Sequence, residues 1–386
     1  MSGNALNGVR ILDFTQVLSG PFATMLLADA GADIVKIERP GVGDITRQWG
    51  PPFVRGESLY FTAFNRGKRS VMADLRDRTD RDNVRRLAER ADVVIENLRP
   101  GTLDRFGLGY PDLERDCPRL IYLSICGYGP ASLRVRDPAL EVVLEAESGM
   151  MAITGNGEPV RQGIAAIDMM SGMIAVAKIF EGLYQRTRTG KGQHIVWSLE
   201  KTAHLMMTHP YLMDTVAQSS YPAMGTTHPS IAPYEHFLTA DRPIILGAVN
   251  DLQFARLSDV MGHPEWCKGV WNTNAGRVAS REELHQRLQS GLIKESAETW
   301  VNRLRGARLV VGVIRPLSEA VTQWQSTQHP ALSSEDPAWG QVTYPASPWR
   351  PHGTVKRAPG LGESRMEDVL HRWCQPSEIE YGPGDA

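Results

Sequence analysis

The 386-residue chain has little cysteine, almost no net charge and no long apolar run, and each shortage narrows what it can be. Its four cysteines, Cys117, Cys126, Cys267 and Cys374, show no paired spacing and no C-x-x-C. That argues against a disulfide framework and a zinc cluster and suits a reducing cytoplasm. Lys and Arg total 42 against 44 Asp and Glu, so no global charge recruits nucleic acid or a membrane surface, and an anionic ligand must be held locally. No apolar run reaches the roughly 18 residues of a membrane span, and MSGNALNGVRILDF lacks the pattern of a leader. A soluble, untargeted cytoplasmic protein is expected. Gly41 and Gly43 do not complete a G-x-G-x-x-G, and neither a Walker pattern nor G-x-S-x-G occurs. His204 and His209, five apart, do not stack on one helical face, so no metal is expected.

What is present begins with a strand, turn, helix and strand. Residues 11–14 form a short apolar strand, and Gly20 permits an unusual backbone turn. Pro21 takes the first helical position, where a missing N–H is tolerated. Residues 21–30 make the helix, Gly31 stops it, and residues 33–37 return as a strand. Such a unit aims backbone N–H groups of the helix start at the carboxyl ends of the strands, where α/β sheets usually bind ligands.

Strands at 70–73, 93–96 and 120–125 alternate with helices such as 80–90, which predicts a parallel sheet with helices on its faces. Residues 141–153 read as helical. An apolar strand at 164–167 leads into Asp168 and a buried helix to about 185, and a further helix spans 199–216, bent at Pro210. Two domains are the default at this length. Residues 220–324, with strands at 234–239 and 244–249, read as a smaller α+β domain. From 325 the chain is rich in Pro and Trp and expected to wrap a surface until a last helix at 364–373.

Asp168, directly before the buried helix, occupies the place of an N-cap. The N–H donors and the helix dipole there also keep a carboxylate ionised, and an ionised carboxylate can act as a nucleophile. Glu141 is a second carboxylate for the same cleft, although a lone glutamate on a helix is ordinarily solvated. In the basic stretch from Arg66 to Arg86, most cations fall on a solvent-exposed helical face; Arg39, Arg69 and Arg76, near strand ends, are the better phosphate ligands.

Seven segments in order resemble the class III CoA-transferase family, the group of formyl-CoA transferase and carnitine CoA-transferase. They are GVRILDF from Gly8, Gly20-Pro21, GADIVKIERPGVGD, NRGKRS from Asn65, ADVVIENLRPGTLDRFGLGY, TGKGQHIVWS and APGLGE from Ala358. The resemblance implies a large Rossmann-like domain made of residues 1–219 and 325–386, a small domain at 220–324, and a homodimer of interlocked chains. It implies Asp168 as the nucleophile, Glu141 lining the site, and CoA contacts at Leu18, Ser19, Arg39, Ala73, Asp74, Leu75, Arg76, Asn97, Leu98, Arg99 and Arg105. The acyl-CoA thioester is a co-substrate, and no tightly bound cofactor is implied. CoA passes from an acyl-CoA to a small carboxylic acid through an aspartyl anhydride and an aspartyl-CoA thioester.

Leu18 stands where formyl-CoA transferase has a glutamine, and GTTHPSIAPY (225–234) lacks that enzyme's glycine-rich loop. Formyl or oxalyl transfer is therefore not expected. The HPSIAPY segment resembles members acting on small dicarboxylic acids such as itaconate, mesaconate or succinate, with His228 and Tyr234 at the second carboxylate. An α-methylacyl-CoA racemase shares the fold but pairs its aspartate with a histidine, at whose place this chain has Leu140. A CoA-binding protein without turnover is the third reading, against which Asp168 speaks.

Overall fold

Alternating apolar residues on short strands bury both faces of one parallel sheet in the computed structural model, which describes residues 5–327, 331–337 and 339–375. The strands are β1 (Arg10–Asp13), β2 (Asp33–Glu38), β3 (Arg69–Met72), β4 (Val93–Glu96), β5 (Ile121–Cys126) and β6 (Gln193–Ser198), in the order β3-β2-β1-β4-β5-β6. In β1, Ile11 pairs with Ile34 of β2 and with Val93 of β4. Ile11, Ile34, Ile95 and Leu123 share one face with Leu26 and Leu27 of α1 (Ser19–Asp29) and Val176 and Ile179 of the long helix Ala166–Thr189. Leu12, Val35, Val71 and Val94 face the other way, onto Val84 and Leu87 of α2 (Arg78–Ala88) and Trp373 of the last helix, Met366–Cys374. The period of two along each strand thus becomes two separate cores.

The chain divides into two compact units. The first takes both chain ends: the described residues up to Ser148, Gly163–Met207, and the described residues from 331 onward. The second comprises Gly149–Gln162 and residues 208–327, so the 149–162 segment, read from the sequence with the first part, clusters with the second. Its core joins Phe237, Ile244 and Leu246 of an antiparallel sheet to Leu284, Leu288, Trp300 and Leu304. No helix of the described residues is long and apolar enough to cross a membrane.

Several elements depart from the sequence expectation. The helix expected from Pro21 starts two residues earlier, at Ser19, and the residue with positive φ is Val17 (φ 68°), not Gly20. Gly20 is needed for a different reason: a Cβ there would lie 2.3 Å from the side chain of Thr15. No strand precedes Asp168; the backbone enters the helix at Ala166. The expected helix over 199–216 is two helices, Leu199–Met206 and Thr208–Thr215, with Pro210 in the first turn of the second, where its missing N–H costs no hydrogen bond. Edge strand β6 was not anticipated, and the Pro-rich tail carries a three-stranded sheet of Ala331–Asp336, Gly340–Pro345 and Gly353–Thr354.

Candidate active site

The turn from Asp13 to Ser19 leaves the carboxyl end of β1 and is held from below by buried charge. Asp13, with no exposure, accepts the Thr15 backbone N–H (2.8 Å) and hydroxyl (2.5 Å) on one oxygen and the Thr24 hydroxyl (2.7 Å) on the other. Lys36 donates to the Thr15 carbonyl and pairs with Asp44 at 3.0 Å, while Asp44 accepts the Val17 N–H at 3.3 Å. Lys68 pairs with Asp13 (3.3 Å) and donates to the Pro21 carbonyl (3.0 Å). Burial pushes the Lys68 ammonium down to about 7, against the pull of Asp13. These bonds at Asp13, Thr15 and Val17 tie the bends that put Leu18, 2% exposed, and Ser19 at the head of α1.

The second wall comes from α4, the helix Ala166–Thr189, once α3 is counted as Glu141–Glu147. At Gly172 a Cβ would lie 2.7 Å from the Ser19 carbonyl oxygen and 2.9 Å from Phe22, so only glycine lets α4 approach α1 this closely. Asp168, one helical turn before Gly172, comes beside Ser19, whose hydroxyl favours its ionised form. Asp168 is the third residue of α4 and not its N-cap; Ala165 occupies that place and caps with no side chain. The expectation that helix N–H groups hold it ionised is also corrected. Burial pushes the Asp168 carboxyl up to about 6, and the nearby Ser19 hydroxyl opposes this without cancelling it.

Glu141 opens α3 and is buried rather than solvated, 7% exposed. Burial pushes it up to about 7, and the nearby carboxyls of Glu145 and Asp168 add to the rise. Glu145, fully buried one turn further along α3, was missed by the sequence reading, although two glutamates at i and i+4 on a short helix are a legible pair. Three carboxyls thus gather where one nucleophile and one neighbour were expected.

The remaining expected CoA residues lie along the same edge. Arg39 directly follows β2 and is exposed. Ala73, Asp74, Leu75 and Arg76 form the turn after β3, with Ala73 N–H on the Glu38 carbonyl (2.9 Å) and Arg76 N–H on Asp74 (3.0 Å). Asn97 follows β4 and clamps Gln16 by two bonds, accepting its N–H (2.8 Å) and donating to its carbonyl (2.7 Å), which ties the loop of β4 to that of β1. Leu98 N–H bonds Glu96 (2.7 Å), and Leu98 and Arg99 border a cavity of about 220 Å3 whose wall holds Ser124 and His194, 3.0 Å apart. Arg105 sits exposed in a short turn, Asp104–Phe106.

Two groups of expected residues lie elsewhere. Arg69 begins β3 at the opposite edge and pairs with Asp33 at 2.6 Å, so it does not belong to this site. Arg66 is buried against Asp29 at 2.6 Å, and neither it nor Lys68 is a surface phosphate ligand. His228 and Tyr234 belong to the second unit, where their rings stack at 5.3 Å. Ser230 N–H donates to His228 Nδ1 (3.1 Å), which places the ring proton on Nε2, and burial lowers the imidazole below its ordinary range.

A parallel sheet whose carboxyl edge carries carboxyls with raised pKa beside a helix start defines an α/β enzyme site suited to acyl chemistry. The model of CoA-transferase family III matches residues 6–365, and the chain belongs to that family as a CoA-transferase. It is 40% identical over 347 residues to succinyl-CoA:glutarate CoA-transferase of Mus musculus, covering 88% of this chain and 79% of that one. Succinyl-CoA:mesaconate CoA-transferase of Haloarcula hispanica is 33% identical over 380 residues, with 94% and 95% covered. A crystal structure of a CAIB/BAIF family protein from Brucella suis superposes with a TM-score of 0.81 at 32% identity, over 95% of this chain and 98% of that one.

Proposed function

We propose that the protein moves CoA from an acyl-CoA thioester to a small dicarboxylic acid of the succinate, glutarate, mesaconate or itaconate kind, with Asp168 as covalent nucleophile. The observation that carries this is the Asp168 carboxyl itself: beside the Ser19 hydroxyl at the head of α1, half-buried, and near Glu141. A carboxyl raised to about 6 is still mostly ionised at pH 7 and is a better nucleophile than an ordinary one. Relatives named as transferases between succinyl-CoA and glutarate or mesaconate support the acid class.

Asp168 attacks the donor thioester carbonyl, the C–S bond breaks, and a mixed anhydride and CoA thiolate result. The thiolate attacks the aspartyl carbon of the anhydride, freeing the donor acid and leaving an aspartyl-CoA thioester. The acceptor carboxylate attacks this thioester to form a second anhydride, and the thiolate then attacks the acceptor's acyl carbon, releasing the new acyl-CoA and Asp168. Each step exchanges one activated acyl bond for another, so no net proton or energy source enters. The N–H groups of the first turn of α1 suit each oxyanion, and the buried surroundings keep water from the anhydride.

In this reading Leu18, Ser19, Arg39, Ala73 to Arg76, Asn97 to Arg99 and Arg105 hold CoA. His228, with its proton on Nε2, and Tyr234 meet the acid's far carboxylate. The protein works as an interlocked homodimer in the cytoplasm; a first unit built from both chain ends and four free cysteines support these two points.

Mass spectrometry of the intact protein after incubation with succinyl-CoA tests the mechanism. A covalent gain, lost in Asp168→Ala and cleaved by hydroxylamine, is expected. No adduct in the wild type, with exchange of the α-proton of a branched acyl-CoA instead, would make it a racemase; neither would leave a passive CoA binder.

A further inference from the structure

At the edge of the sheet where the strands begin, opposite the turn that carries Ser19, a cavity of about 510 Å3 opens between the starts of β1, β2 and β3 and the C-terminal segment. Five cations line it, Arg10, Arg69, Arg350, Lys356 and Arg372, against two carboxylates, Asp29 and Asp33. Asp29 is already bound by buried Arg66 at 2.6 Å, and Arg66 does not line the cavity. Among the described residues that line it, Asp33 is left as the available counter-charge. It is shared between Arg69 (2.6 Å), Arg372 (3.2 Å) and the Trp373 indole N–H (2.9 Å).

The other cations have weaker ties. Arg10 donates to the carbonyls of Trp373 (2.8 Å) and Gln375 (3.0 Å), and Arg350 to that of Thr354 (3.1 Å). Lys356 has no ion-pair partner among the described residues; desolvation lowers its ammonium pKa, and Arg69 and Arg372 lower it further against the pull of Asp33. Like charges drawn from four distant parts of the chain into one concave site repel one another unless an anion joins them. Guanidinium groups favour the planar, two-point recognition of phosphate, and the volume falls in the range of small-molecule sites.

We propose that this cavity binds a phosphate-bearing small molecule, separately from the CoA thioester. The occupant would bridge Arg69 of the sheet to Lys356 and Arg372 of the C-terminal segment, and would stabilise the folded chain by mass action.

Titration calorimetry of the full-length protein with inorganic pyrophosphate at saturating CoA tests this. One pyrophosphate per chain is expected, weakened about tenfold or more in Lys356→Glu/Arg372→Gln, unchanged in Arg39→Ala, and accompanied in the wild type by a rise in Tm. If the double variant does not fold, Arg350→Gln alone carries the comparison. The proposal falls if no binding occurs, as it would were a second chain to cover these cations. It falls equally if saturating CoA or Arg39→Ala abolishes binding, if the double variant binds as the wild type does, or if citrate binds as tightly as pyrophosphate.

Discussion

Gly172 of α4 and Ser19 of α1 touch backbone to backbone: a Cβ on Gly172 would stand 2.7 Å from the Ser19 carbonyl oxygen. That approach brings the Asp168 carboxyl, one turn earlier on α4, beside the Ser19 hydroxyl. Gly172→Ala should therefore cost about 1–3 kcal/mol of stability through overpacking. It should also lower kcat by up to about 100-fold, because a displacement near 1 Å at a reacting group is that costly. Thermal unfolding and steady-state kinetics check the two effects separately; full activity in a folded variant would show that the approach is not needed.

Ser19→Ala removes a hydroxyl that favours ionised Asp168. The carboxyl should then titrate above about 6, so the acid limb of the kcat profile moves to higher pH and activity at pH 6 falls more than at pH 8. The pH–rate profile decides this. A uniform loss at all pH values would assign Ser19 to packing alone.

Asp168 also carries a stability signature with a definite sign. Its folded carboxyl, at about 6, holds a proton more tightly than the ordinary value of 3.8, so its favourable contribution is complete below pH 4 and is lost as pH rises through about 6. Asp168→Asn should accordingly be more stable than the wild type at pH 7, on the order of 1–3 kcal/mol, and indistinguishable near pH 4. Denaturant unfolding at the two pH values measures it. Greater stability with no adduct formation is the expected cost of function at this site.

Lys36 has no exposure and ties the Thr15 carbonyl to Asp44, which in turn holds Val17 in its positive-φ conformation. Lys36→Met leaves Asp44 as a buried charge without its cation and should destabilise by about 3–5 kcal/mol. Replacing both, as Lys36→Met/Asp44→Asn, should recover part of that stability without recovering kcat, since the turn presenting Ser19 loses its anchor. Unfolding and kinetics of the two variants side by side provide the check.

The parallel sheet was readable because its strands are short, β-branched and separated by helical spacing, and both of its faces are buried. β6 escaped notice because Gln193 to Ser198 is an edge strand, only partly buried along most of its length, and so carries a weaker apolar signal. Asp168 was legible as an acid before a buried helix, yet its position within that helix was not, since Ile164 to Ile167 has the composition of a strand and only the packing of α4 decides otherwise. Arg69 shows the same limit. A cation beside a strand says nothing of which end it occupies until register places it at the start of β3, paired with Asp33.

By itself the sequence determined the class of fold, the loops that follow the strands and the family of chemistry, because these rest on local periodicity, turn residues and ordered motifs. Tertiary structure alone decided the environment of the carboxyls. Asp168 and Glu141 keep their protons to higher pH than ordinary carboxyls because segments distant in the chain exclude water around them, and desolvation is a property of the packed neighbourhood, which no local pattern encodes.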